Sequence, residues 1–322
     1  MSTTTRTQIS QEINNYYDKN LLMRVIPRFV YQRFSQLRDI PSNSGTNVIK
    51  FRRYGNLTAA TTSLTEGVTP TGSQLSITDI TANVSQYGDF VTITDVVSYE
   101  SPDRVLTETG NILGDQAADT LDQLTRDVLV AGTNVYYGGS ATSRVTVGAS
   151  DLMTSTLILK AVRLLKNSNA MKVTEMMSPT NGVSTTPLNA CFVAFVHPNV
   201  GYTLKTLTGW IPVEKYPQGK MAMDGEIGAL DEVRFIESTN AKVFTGAGAS
   251  SIDVYATLIV AAQAYGTTRI NGQSLKNIIK PLGAAGTADP LDQRQTSGWK
   301  TTFVAKILNN NFMVRLETAA AA

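Results

Sequence analysis

Asn47-Val-Ile-Lys-Phe-Arg53, Leu75-Ser-Ile-Thr78 and Asp89-Phe-Val-Thr-Ile-Thr94 frame the segment that decides how this chain is built. Each alternates with the two-residue period of a strand. Between the first two lies Asn56-Leu-Thr-Ala-Ala-Thr-Thr-Ser-Leu-Thr-Glu-Gly-Val-Thr-Pro-Thr-Gly72, and residues 56–85 hold twelve Ser or Thr among thirty. Residues 46–95 therefore read as one long hairpin with too little apolar surface to fold alone, because an isolated two-stranded ribbon is marginal in water. A long insertion in a compact domain is normally disordered or functional. The Thr, Val and Ile retained here favour strand, so the better reading is an ordered arm resting on another subunit. That points to assembly before chemistry.

Composition sets wider limits. With 322 residues and 42% apolar content, the chain can bury a sizeable core in one large or two modest domains. A net charge of +2 is too small to imply a nucleic-acid binder by itself. Its distribution says more: residues 1–53 hold nine Lys/Arg against three Asp/Glu, and residues 54–103 hold six Asp/Glu and no Lys or Arg. Copies packed side by side could set basic arm against acidic arm; two solvated surfaces of opposite sign are the plainer alternative. The N-terminus has no secretory h-region and no apolar run approaches spanning length, which predicts a protein made in the cytosol, with no membrane partner.

Along the chain, residues 1–45 read as an N-terminal arm. Apolar residues at helical spacing run from Ile13 to Ile26, and Arg24, Arg28, Arg33 and Arg38 recur through an aromatic-rich stretch. Such a segment could wrap a neighbour, face DNA, or simply present a solvated helix face. Ser101-Pro102 opens a long helix. Leu106, Leu113, Ala117, Leu121, Leu124 and Val128 form its apolar stripe, Asp119 and Asp122 lie on its solvated face, and Gly132 ends it. Gly110 and Gly114 would mark bends or close packing. Val145 and Val147 suggest a short strand, Asp151–Asn167 a second helix, and residues 171–188 a polar loop. Further strands are expected over Ala190–Val196, Asp231–Glu237 and Val254–Val260, with a short helix after His197-Pro198. Trp299, Thr301, Phe303, Ala305 and Ile307 line one face of a long strand, turned by Asn309–Asn311 into a hairpin with Phe312–Glu317.

This order, with Ile49-Lys-Phe-Arg-Arg-Tyr54, Leu64-Thr-Glu-Gly-Val-Thr-Pro70, Gln86-Tyr-Gly-Asp-Phe-Val-Thr-Ile-Thr-Asp95 and Gly225-Glu-Ile-Gly228, resembles the tailed-phage major capsid proteins of the Hong Kong 97 fold, and within them the phage N-four family. Ile279-Lys-Pro-Leu-Gly-Ala-Ala-Gly-Thr-Ala-Asp-Pro-Leu-Asp-Gln-Arg294 and Gly298-Trp-Lys-Thr-Thr-Phe-Val-Ala-Lys306 extend the resemblance over nearly the whole chain. It implies an α+β fold with an N-terminal arm (1–45), an extended loop (46–98), and a peripheral domain (99–154) containing a spine helix over 101–131. An axial domain (155–272) would follow, then C-terminal strands (273–322) returning to the peripheral domain. The implied function is an icosahedral head shell around double-stranded DNA, built from hexamers and pentamers of this chain and located in the virion. Its partners would be a separate scaffolding protein and a portal, with a decoration protein as a further option. A nanocompartment shell of the same fold, or a β-rich decoration or adhesin protein, is the alternative.

Chemistry has little to stand on. His197 is the only histidine and Cys191 the only cysteine, so no zinc cluster or disulfide framework exists. His197 reads as a turn residue and Cys191 as a packed core thiol. No Walker loop or nucleophile elbow is present. No catalytic residue, cofactor or metal site is expected; calcium could bridge acidic groups between subunits, but no spacing is diagnostic. Some capsids of this fold crosslink a loop Lys to a neighbour's Asn, yet no Lys lies between Lys50 and Lys160, which predicts a non-covalent shell. Contacts across subunit boundaries would then pair Arg24, Arg28, Arg33, Arg52 or Arg53 with Glu66, Asp79 or Asp89. Basic residues on an inner surface would meet DNA phosphates weakly and without sequence readout.

Overall fold

The apolar run around Cys191 does not alternate because it lies in a sheet covered on both faces. The computed structural model describes residues 29–41, 46–100, 105–177, 185–216, 223–270, 275–284 and 289–321. The elements begin with β1 (Gln36–Ile40), β2 (Val48–Tyr54), β3 (Ile77–Asn83), β4 (Ser85–Thr94), α1 (Asp95–Glu100), α2 (Val105–Val130) and β5 (Val135–Tyr137). Next come α3 (Ser155–Asn167), β6 (Val173–Met177), β7 (Thr185–Val196), α4 (Pro198–Lys205), β8 (Ile211–Pro212), β9 (Glu226–Leu230) and β10 (Val233–Glu237). The chain continues through β11 (Val243–Phe244), β12 (Val254–Val260), β13 (Tyr265–Ile270), β14 (Lys276–Lys280), β15 (Arg294–Ile307) and β16 (Met313–Thr318).

Among the described residues, the larger sheet runs β5-β16-β12-β7-β10-β9-β8, with β11 on β12 and β6 on β7. Phe192, Ala194 and Val196 of β7 face α3 (Leu157, Ile158, Ala161, Leu165) and α4 (Val200, Leu204). Cys191, Val193 and Phe195 face the opposite layer with Tyr31, Phe34, Leu129 and Tyr265. The Thr154 hydroxyl starts α3 by accepting from the Leu157 N–H at 3.3 Å.

The smaller sheet runs β1-β13-β15-β14, with β4 also on β15. The alternation expected in β15 holds, and Trp299, Phe303 and Ala305 meet Leu113, Ala117, Ala118 and Leu121 of α2. Twenty-six residues at ~1.5 Å rise make α2 a rod of roughly 39 Å. It runs unbroken through Gly110, which meets no atom within 4 Å of where a Cβ would sit, so neither a bend nor close packing accounts for that glycine.

Several expectations need correction. The ribbon is shorter than 46–95: β2 pairs with β3 from Val48↔Asn83 to Tyr54↔Ile77, and β4 then joins β15 from Ser85↔Phe303 to Thr94↔Arg294. Ala82 and Val84 are buried, so the chain re-enters the body there. The motif runs 86–95 and 298–306 are thus direct neighbours. Gly88 and Gly298 let their strands approach, since a Cβ would lie 2.5 Å from the Trp299 carbonyl oxygen and 2.7 Å from the Phe90 Cβ respectively.

The C-terminal strands do not form a hairpin. β16 pairs with β12 and β5, because Met313, Val314 and Leu316 are apolar on both faces and need a two-sided sheet. Residues 144–146 form a 3-10 turn, held by the reciprocal Ser143–Thr146 capping box, in place of a strand. Much of 171–188 is strand (β6 and the start of β7); residues 178–184 lie outside the described residues. So do the expected 13–26 helix and the Ser101-Pro102 helix start. Asp122 is fully buried, contrary to the solvated position expected.

Candidate assembly surfaces

Every residue from Arg52 to Asp79 is exposed. Seven strand pairs at ~3.4 Å carry the ribbon roughly 23 Å, and residues 55–76 extend beyond them, their ends joined by the Gly55 N–H donating to the Ser76 carbonyl at 2.9 Å. At the tip, Gly67 takes φ 77°, which glycine tolerates and β-branched residues do not. Leu64 and Val68 beside it are 78% and 63% exposed, and Leu57 and Leu75 are also open. Four exposed apolar side chains on one long projection are more than a solvated loop requires, since exposed apolar surface of this kind is typical of interaction sites.

The structure gives several of the predicted contact residues partners in their own chain. Arg52 Nε lies 3.2 Å from Asp79 Oδ1, a direct cross-strand pair. Arg33 is buried and donates to the Asp224 carboxylate at 2.8 Å and carbonyl at 3.1 Å, a partner that sequence reasoning missed. Asp89 accepts from Gln116 Nε2 at 2.6 Å and the Phe90 N–H at 2.8 Å, and the Gln116 bond holds its carboxyl below the usual range. Gln116 in turn accepts from Trp299 Nε1 at 3.1 Å, so one amide joins β4, α2 and β15. Arg53 and Glu66 are exposed. Arg24 and Arg28 lie outside the described residues.

Two buried carboxylates organise the body, and neither was foreseen. Asp122 Oδ1 accepts the backbone N–H groups of Val30 and Tyr31 at 3.0 and 2.9 Å, and Asn240 Nδ2 approaches Oδ2 at 3.4 Å. Burial is the main reason its carboxyl is pushed up to about 6; the two backbone donors oppose the shift. Tyr265 Oη donates to the Tyr31 carbonyl, so the root of the N-terminal segment is pinned from two sides. Glu317, also fully buried, accepts from Arg144 Nε at 2.9 Å and Nη2 at 2.7 Å, and from Arg315 Nε at 2.7 Å. Arg315 also donates to the carbonyls of Val130 and Gly132, which caps the C-terminal end of α2.

The residues weighed for catalysis have structural roles. His197 caps α4, its Nδ1 accepting from the Asn199 N–H at 3.2 Å, and its ring packs 5.0 Å from that of Tyr255. Burial pushes the Cys191 thiol up to about 11, away from the thiolate a nucleophile needs.

Residues 122–274 match the family model described as phage capsid protein. A curated relative, the major capsid protein of Pseudomonas phage KPP21, is 27% identical over 195 residues, covering 54% of this chain and 49% of its own length. The chain thus spans about half the length of the curated relative it matches. The capsid of Ralstonia phage GP4 superimposes with a TM-score of 0.69 at 13% identity, covering 91% of this chain and 92% of that one. The capsid of cyanophage P-SCSP1u gives 0.64 at 16% identity over 91% and 88%. The head structure of Helicobacter pylori bacteriophage KHP40 gives 0.64 at 15% identity over 88% and 87%. The chain has the Hong Kong 97-type fold of phage capsid proteins and carries their family pattern across residues 122–274.

Proposed function

We propose that this chain is a major capsid protein that self-assembles into the icosahedral head of a tailed bacteriophage, acting structurally and without catalysis. The observation that carries the reading is the ribbon: a projection with exposed Leu57, Leu64, Val68 and Leu75 that its own body does not cover. The match to the phage capsid family supports a genome container over a nanocompartment. On this reading α2 is the spine helix, β4 and β15 belong to the peripheral domain, and residues 155–272 form the axial domain. Pairing of β16 with β12 and β5 shares the C-terminal chain between the two units. Arg53 and Glu66 are the predicted contact residues best placed to meet a neighbour, being exposed. Hexamers and pentamers, a separate scaffold, a portal, a decoration protein, weak contact with double-stranded DNA and the finer N-four affiliation belong to the same proposal.

Negative-stain electron microscopy of the purified chain, with and without a candidate scaffold, tests it. Closed particles or hexamer-sized capsomers are expected. A monodisperse monomer under both conditions would mean that the ribbon needs no neighbour, and the shell reading would fall. Assembled particles should run as single subunits on a denaturing gel, because the ribbon tip offers no Lys for an isopeptide bond. A heat-stable, reductant-resistant ladder would contradict this.

A further inference from the structure

A cleft of about 720 Å³ lies at the root of the ribbon, with one wall on β2 and the other on β1 and the turns after α3, β12 and β15. Phe51 and Leu308 meet over Gly266, where a Cβ would come within 3.2 Å of each. Arg38, Lys50, Arg52 and Arg53 line the cleft, all of them exposed, and among the described residues no carboxylate does. Acidic residues of the same strands are engaged elsewhere: Asp79 by Arg52, and Asp39 by Arg269 at 3.1 Å. Among the described residues, Arg38, Lys50 and Arg53 have no carboxylate partner. Strand alternation puts Arg53 on the face of Phe51, so in the free subunit it serves the cleft. The opposite wall adds the amides of Asn169, Gln263 and Asn309. Gln263 holds φ 59°, a left-handed conformation that Gln seldom adopts and that tends to persist at functional sites. The C-terminal end of α3 also borders this wall, but its carbonyls at Leu164, Leu165 and Lys166 are taken by the N–H groups of Ser168, Asn169 and Ala170.

We propose that this cleft is an oligophosphate-binding site, with Arg38 and Arg53 gripping the phosphates and the amides closing over them. Three cations without carboxylate partners call for a ligand of several negative charges, and the volume suits a small molecule better than a lone ion. Guanidinium forks bind phosphate oxygens in pairs, and amide N–H groups add donors to the same oxygens. Adjoining phosphates match such closely set cations better than carboxylates spaced along a peptide. Bound there, the anion bridges ribbon and body and should steady the ribbon at its root. The inference goes beyond the shell reading and needs no assembly, so its failure would leave that reading intact.

Calorimetric titration of tripolyphosphate into the purified full-length chain tests it, in about 0.15 M salt, where exposed charges more than ~8 Å apart are screened. One site per chain is expected. The Arg38→Gln/Arg53→Gln double variant should bind at least about tenfold more weakly, since each replaces a charge-assisted hydrogen bond. A charge-matched control, Arg163→Gln/Lys205→Gln, removes two exposed cations away from the cleft and should bind as wild type does. As an independent readout, tripolyphosphate should slow tryptic cleavage after Lys50, Arg52 and Arg53 in the wild type and not in the cleft variant. A short DNA duplex that displaces tripolyphosphate would assign the site to nucleic-acid phosphates; failure to displace it would assign the site to a free oligophosphate. No binding, equal loss in both double variants, or equally tight binding of hexaglutamate would overturn the proposal.

Discussion

Asp122→Ala is expected to cost about 2–6 kcal/mol of subunit stability, and Asp122→Asn almost nothing at neutral pH. Alanine leaves the buried N–H groups of Val30 and Tyr31 without an acceptor, and each orphaned donor costs ~1–3 kcal/mol. Asparagine keeps an oxygen for both backbone donors and removes the buried charge, losing only the long 3.4 Å bond from Asn240. The pH dependence separates this site from ordinary carboxylates. Its folded value of about 6 lies above its ordinary value of 3.8, so folding favours the protonated form. The stabilisation from that preference is complete below the ordinary value and is lost as pH rises through about 6. Acidifying from pH 7 to pH 5 should therefore increase the Asp122 contribution to stability by about 1.4 kcal/mol, because only the part of the window below about 6 counts fully, at ~1.4 kcal/mol per pH unit. Asp89 and Glu232, whose carboxyls are held low by hydrogen bonds, act in the opposite direction at more acid pH, and His197, whose imidazole burial holds below its ordinary value, does so within this window, so the Asp122 effect is the difference in slope between wild type and the Asn variant. Thermal melts of the unassembled chain between pH 5 and pH 7.5 decide the matter. An Asn variant with the wild-type slope, or an Ala variant as stable as wild type, would remove Asp122 from this role.

Asp122 also shows where sequence reading stopped. Ala118, Asp122, Thr125 and Leu129 step by four, three and four along α2, so the aspartate lies on a buried line and could have been flagged from spacing. What the spacing could not show is the segment at Val30 and Tyr31, ninety residues earlier in the chain, whose N–H groups make a buried carboxylate tolerable. The same limit governs the strands. Alternation in 89–94 and 298–307 gave both strands correctly, and in 298–307 the face that Trp299, Phe303 and Ala305 turn to α2, because the two-residue period is a property of each strand alone. It could not say that these two strands pair with each other, nor that β15 and β16 enter different sheets, because a partner is chosen by burial across the whole body. The ribbon was the easier case: a Thr-rich segment without cations or a dense apolar face has no place in a core, and the structure leaves it outside one. Of the residues proposed at subunit boundaries, Arg52 and Asp79 are bonded across the ribbon itself, a pairing that follows from hairpin register once the turn is centred near Glu66.

Replacing residues 56–75 by Asn-Gly, a two-residue turn that joins Gly55 to Ser76 in the existing ladder, should leave the subunit folded and abolish assembly. The fold should survive because every residue removed is exposed, and surface changes of this kind usually shift stability by less than ~0.5 kcal/mol each. Assembly should fail because the segment carries Leu57, Leu64, Val68 and Leu75. Burying each of these against a neighbour contributes up to ~1.5–3 kcal/mol, several kcal/mol per ribbon even if burial is partial. An exposed ion pair through Glu66 adds only ~0–1 kcal/mol. The exposed apolar side chains therefore dominate, and the deletion should outweigh any single charge reversal. Circular dichroism and a melting curve near wild type, together with the absence of particles by electron microscopy, are the expected results. Particles of wild-type diameter from the truncated chain would show that the shell closes without the ribbon. The binding energy would then have to reside on the body, with exposed apolar side chains such as Phe90, Ile112 and Tyr202 the next surfaces to examine.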